Sequence, residues 1–161
     1  MIRETTPDDI RFVVSRLRAV DAEEQFATRF PAMEGDEGAG LASDLIKAMP
    51  RTILSFCFVA TDGDPATILS AYHQSPGVAK LHRISTDAWP EVSRAVFTFG
   101  IERFLPALGA SVHRAECSVL GRYAEAWTML QRLGFTHEGT SIARGRNRED
   151  FANFAWVKPD V

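Results

Sequence analysis

Few side chains in this chain could attack a carbonyl or move a proton near neutral pH. The two cysteines, Cys57 and Cys117, lie far apart and inside apolar runs. Cys117 shares its strand face with Ala115 and Val119, so it reads as a buried thiol rather than a nucleophile. This pair makes neither a disulfide framework nor a metal-ligand set, and the histidines and acids show no ligand spacing. His73 and His82 fall in strand-like stretches, where a histidine is more often a packing residue than a base. The one cationic cluster, Arg144-Gly145-Arg146-Asn147-Arg148, would suit a phosphate or an acidic partner, or form a solvated hairpin loop.

Composition narrows the classes. The 161 residues carry 18 basic and 21 acidic side chains, a formal net charge of −3, and are 45% hydrophobic. That length suits one domain over 1–161, with roughly two thirds of its unfolded-state surface buried. Eleven Phe argue against disorder. The mild acidity argues against a nucleic-acid binder, and no apolar run reaches membrane-spanning length. Met1-Ile2-Arg3-Glu4-Thr5 has no signal-peptide layout, so a soluble, cytoplasmic protein is expected.

The hydrophobic period sets the elements that would position any site. Residues 2–5 read as a strand. Thr6-Pro7-Asp8-Asp9 opens a helix whose stripe is Ile10, Val13, Val14 and Leu17. A second helix spans about 21–29, an acidic flexible segment of glycines spans 33–40, and a third helix spans 41–49. Strands follow at 53–59, 67–72 and 78–85, separated by turns at 61–65 and 75–77. Trp89-Pro90-Glu91 opens a helix that runs to Leu108, with Gly109 ending it. A strand at 112–120, a helix at 124–133, a strand at 136–143, a polar loop at 144–150 and a strand at 151–157 complete the order. Phe151, Phe154 and Trp156 on that last strand are expected at a sheet edge, where they could form a protein–protein surface.

This order, with Leu133-Gly134-Phe135 closing the last long helix, resembles the GNAT N-acetyltransferase family. The most specific stretch is Ala126-Trp127-Thr128-Met129-Leu130-Gln131-Arg132-Leu133-Gly134-Phe135, followed by Glu138-Gly139. Leu130, where many members have Tyr, is similar to the ribosomal-protein acetyltransferase branch and to acyltransferase-like proteins of tailed bacteriophages, some of them internal virion proteins. Ser85-Thr86-Asp87 and the aromatic-rich helix after it resemble the phage group more. The Gly-Phe pair also has a purely structural use, a left-handed cap with an aromatic folded onto the core.

The resemblance implies an α/β fold, a mixed and mostly antiparallel central sheet flanked by helices, with two central strands splayed apart. It implies acetyl-CoA as acyl donor and an amine, of a protein or a small molecule, as acceptor. The backbone around Trp89, Val92, Ser93 and Arg94 would hold the pyrophosphate, although this segment lacks the family's glycines and carries Pro90, Asp87 and Glu91. Glu116 would be the base that takes the amine proton, or a carboxylate paired with Arg83 or Arg114. Tyr123, seven residues before Leu130, would be the acid, or an ordinary half-buried aromatic. No metal is implied. A second function class stands beside the enzyme: a non-catalytic binding or assembly module with protein partners such as phage virion proteins, or a homo-oligomer.

Overall fold

The computed structural model describes residues 1–31 and 35–160. Strand β1 (Ile2–Glu4) leads into helix α1 (Pro7–Val14), and Thr6 caps it as its residue type predicts. The Thr6 hydroxyl accepts from the Asp9 N–H at 3.2 Å, and the Asp9 carboxylate accepts from the Thr6 N–H at 2.8 Å. Helix α2 (Ala19–Ala27) follows. Helix α3 (Glu37–Ala48) starts at Glu37 rather than at Leu41. Asp36 supplies the reason: its Oδ1 accepts from the Gly38 N–H at 2.9 Å, so Gly38 and Gly40 are helical and not part of a flexible segment. Met33 and Glu34 of the expected segment lie outside the described residues.

A 3₁₀ turn (Met49–Arg51) precedes strands β2 (Thr52–Val59), β3 (Pro65–Ser75) and β4 (Val78–Ser85). The single helix expected over 89–108 is broken. Helix α4 (Trp89–Phe99) passes through a π turn (Gly100–Phe104) into the short helix α5 (Leu105–Leu108). Strand β5 (Arg114–Leu120), helix α6 (Ala124–Arg132), strand β6 (Thr136–Ser141) and strand β7 (Phe151–Val157) complete the order.

The strands form one sheet in the order β1-β2-β3-β4-β5-β7-β6. Every pairing is antiparallel except β4 with β5. Strand β7 therefore lies inside the sheet, between β5 and β6, and not at an edge as its aromatics suggested. Phe154 packs under the π turn and α5, and Phe151 packs against Ala27 of α2 and Leu120, so both are core rather than a docking surface. One apolar cluster packs the sheet against the π turn and α5, with Phe104, Leu108, Ala115 and Phe154 at its centre and Leu130 of α6 against it. A second, around Val13, Leu41, Ile68 and Ile84, packs the other face against α1 and α3.

The Leu133-Gly134-Phe135 ending is a Schellman cap. Gly134 has φ +89°, its N–H donates to the Gln131 carbonyl, and the Phe135 N–H donates to the Leu130 carbonyl at 3.0 Å. Among the described residues, no helix is long and apolar enough to cross a membrane, and no group of three metal-ligating side chains is found.

Candidate functional site

The site begins with an incomplete pairing. Strands β4 and β5 match at only three positions, Val78 with Arg114, Ala79 with Ala115 and Lys80 with Glu116. Beyond these, β4 stays laddered to β3 as far as Ser85, and β5 stays laddered to β7 as far as Leu120. The two strands thus diverge into a wedge, and their facing edges lose each other as hydrogen-bond partners. Buried backbone groups need replacements, and α2 with the turn before it supplies two. The Ser85 carbonyl accepts from the Arg18 N–H at 2.9 Å, and the Leu120 N–H donates to Glu24 Oε2 at 2.9 Å.

A cavity of about 170 Å³ passes through the wedge. Alternation along the strands gives it two unlike walls. Towards α4 and α6 it is apolar, with Leu81, Val119, Phe104, Met129, Leu130 and Leu133. Gly100 lines it too, and a Cβ there would come within 3.1 Å of the Leu133 side chain, so the π turn seats α4 close against α6. Towards α2 the wall is polar, with Glu24, Gln25, Thr28, His82 and Ser118, and with Lys80 and Arg144 at its edge.

Glu24 is the only acid lining this cavity among the described residues. Burial pushes its carboxyl up to about 7, and nearby Asp21 adds to the rise. The Leu120 N–H, Arg83 and Arg18 pull the other way and do not cancel the burial. His82 is uncharged at neutral pH, because burial and then Lys80 bring its imidazole down to about 4. Its Nε2–H donates to Gln25 Oε1 at 2.6 Å. Burial also raises the Cys117 thiol to about 12, which removes it as a nucleophile at neutral pH.

The wide end of the wedge holds a second cluster. The Arg83 guanidinium lies 4.0 Å over the Trp89 ring, and that of Arg18 lies 5.2 Å from the same ring. Both arginines donate to the Tyr123 hydroxyl, Arg83 at 3.4 Å. Arg18 also donates to Asp21 at 2.6 Å, and Trp89 Nε1–H donates to Glu125 at 2.6 Å. Arg83 Nη1 is buried and has no hydrogen-bond partner among the described residues.

The residues expected from sequence fall unevenly around these features. Trp89 and Tyr123 meet in the arginine cluster through Glu125, but neither lines the cavity. Val92 is buried in the core beneath α4, Ser93 bonds the Pro90 carbonyl at 3.4 Å, and Arg94 is exposed. The backbone they sit on has little left to donate. The Trp89 N–H goes to Thr86 and the Glu91 N–H to Ala88, while Pro90 has none. Glu116 lies at the closed end of the wedge and outside the cavity wall. Its carboxylate accepts from Arg114 at 2.6 Å and Gln74 at 2.9 Å, and Arg114, then Gln74, hold it below the ordinary carboxylate range. Glu24 escaped sequence reasoning. The one trace is that Arg18, Asp21 and Glu24 recur every three residues, putting charge on the helix face that also carries buried Ala27.

No family model and no curated protein matches the sequence. Solved structures do match the fold. The chain is 15% identical to the ribosomal-protein-alanine N-acetyltransferase of Brucella melitensis, with 98% of this chain and 99% of that one covered and a TM-score of 0.73. It is 13% identical to the spermidine N-acetyltransferase of Vibrio cholerae in complex with CoA and spermine, with 98% and 95% covered and a TM-score of 0.71. A GNAT-family acetyltransferase of Streptococcus pneumoniae is 19% identical, with 99% of each chain covered and a TM-score of 0.67. The chain has the GNAT fold.

Proposed function

We propose that this chain is an N-acyltransferase that moves an acyl group from an acyl-CoA thioester to an amine. The observation that carries this reading is the wedge between β4 and β5, with an apolar wall on one side of its cavity and a single acid, the half-buried Glu24, on the other. The residues fit the donor at its acyl and pantetheine end. Leu81, Val119, Leu130 and Leu133 form the apolar wall, and Arg83 Nη1 is an unpaired buried donor on a residue of the same cavity. Arg83, with Arg18 beside it, takes the part that the backbone at the start of α4 cannot play.

When bound, acyl-CoA supplies a thioester-activated acyl group; the amide N–C bond would form as the C–S bond breaks, and CoA would leave as its thiol with the proton that the amine nitrogen loses on acylation. The chain supplies position, dryness and a base. Glu24 accepts one proton from the acceptor's ammonium group, leaving a neutral amine with a free lone pair. Its carboxyl sits near 7, so a large fraction is ionised and ready at neutral pH. The Leu120 N–H fixes one oxygen of that carboxylate, and His82 holds Gln25 beside it on the wall. The apolar wall excludes water. Glu116 is spent on Arg114 and Gln74 and takes no proton in this reading.

The test is calorimetry or thermal unfolding with acetyl-CoA. Binding at micromolar concentration is expected, with about 2–3 kcal/mol of stabilisation at saturating ligand. Absence of any shift at millimolar acetyl-CoA would overturn the proposal. It would favour the second reading, a non-catalytic binding or assembly module such as a virion protein, which draws on the spent backbone donors at the start of α4.

A further inference from the structure

We infer that the acceptor is a small amine that also carries an oxyanion, in the manner of an amino acid. This rests on the acyl-transfer reading and adds the class of its second substrate. The argument is one of charge on the α2 side of the cavity. Lys80, His82 and Ile84 share one face of β4, and His82 bonds Gln25 of α2, so Lys80 belongs to the α2 side. Arg144, from the loop after β6, donates to Ser118 Oγ at 3.1 Å. Ser118 shares a β5 face with Leu120, which packs on Ala27 of α2. Both cations therefore border the wall that holds Glu24.

Neither cation is spent. Arg114 pairs with Glu116 and Glu138, Arg122 with Glu23, and Arg146 with Glu37. Lys80 and Arg144 pair with no carboxylate among the described residues, and His82, which lines the same cavity, is neutral. On this side Glu116, the β5 neighbour of Lys80, is already held by Arg114 and Gln74, which leaves two cations without a carboxylate partner at the cavity's edge and one acid lining it. A polyamine would bring several positive charges to that single acid and would meet Lys80 and Arg144 with like sign. An amine with an oxyanion matches both ends: its nitrogen reaches Glu24, and its oxyanion reaches the two cations through charge-assisted hydrogen bonds. Gln25 and Thr28 line the same cavity as neutral hydrogen-bonding side chains, while Ser118 Oγ is already engaged by Arg144 and Asn153.

The experiment is equilibrium binding by calorimetry, on the full chain both without CoA and with CoA at millimolar concentration, with four probes. They are L-leucine, its aminophosphonate analogue, the decarboxylated isoamylamine and spermidine. At least one of the two oxyanion probes is expected to bind roughly tenfold or more tighter than isoamylamine and spermidine. Comparing leucine with the aminophosphonate shows which oxyanion the site takes. In Lys80→Met/Arg144→Met the preference should fall to within about twofold, with the melting temperature and acetyl-CoA affinity unchanged. Equal or tighter binding of isoamylamine or spermidine, or a preference that survives the double substitution, would overturn the inference. Acetyl-CoA binding is scored separately. Its absence with the oxyanion preference intact overturns the transferase reading alone, and its presence without the preference overturns only the acceptor class.

Discussion

Glu24 changes the pH dependence of folding as well as the chemistry. Its carboxyl lies at about 7 in the folded chain against an ordinary 4.5, so the folded state binds its proton more tightly than the unfolded state. The resulting stability is full below about pH 4.5 and is lost as the pH rises through about 7. Relative to Glu24→Gln, the wild-type chain should lose on the order of 3 kcal/mol across that window. Urea melts of both proteins at pH 4.5, 6 and 8 measure this. If the two stabilities stay parallel, the carboxyl is not proton-hungry in the fold. The same titration governs turnover, which should climb through about pH 7 and collapse in Glu24→Gln, while Glu116→Gln leaves both rate and profile in place. Glu116 stood out in sequence because the resemblance to GNAT acetyltransferases implies a carboxylate base on that strand. Glu24 did not, because nothing along the chain says that α2 lies across a gap in the sheet.

At the scale of elements, chain-local chemistry and the antiparallel hairpin of β2 and β3 were legible, and the pairing of strands distant in sequence was not. Thr6, Pro7 and Asp9 announced the start of α1, and Gly134 the end of α6, because a cap is written within a few residues. Replacing Gly134 by Ala should cost about 1–2 kcal/mol, since φ +89° strains any Cβ while the site itself has room, Trp156 lying 3.9 Å away. Chemical denaturation reads this directly, and a neutral substitution would mean that the turn relaxes. The π turn was not legible. Residues 89–108 keep a helical stripe, and the extra residue in the turn answers to Leu133, which lies across the fold. The position of β7 was hidden for the same reason. Its aromatics declare burial, but whether β6 or solvent covers its far side depends on sheet order.

For the molecule as a whole, the sheet divides in the same order as the chain. Strands β1 to β4 form one continuous antiparallel ladder, and β5, β7 and β6 form another. Only three residue pairs join the two ladders. A seam that short is the natural line of sub-global opening. Amide hydrogens along the β4–β5 contact, at residues 78–80 and 114–116, should therefore exchange faster than those inside either ladder. Exchange measured by mass spectrometry tests this, and uniform protection across the sheet would refute it. A molecule lodged in the wedge touches both halves at once. It would close the seam from the open side and slow those amides without contacting them, so that occupancy of the cavity could be followed by a clock built into the backbone.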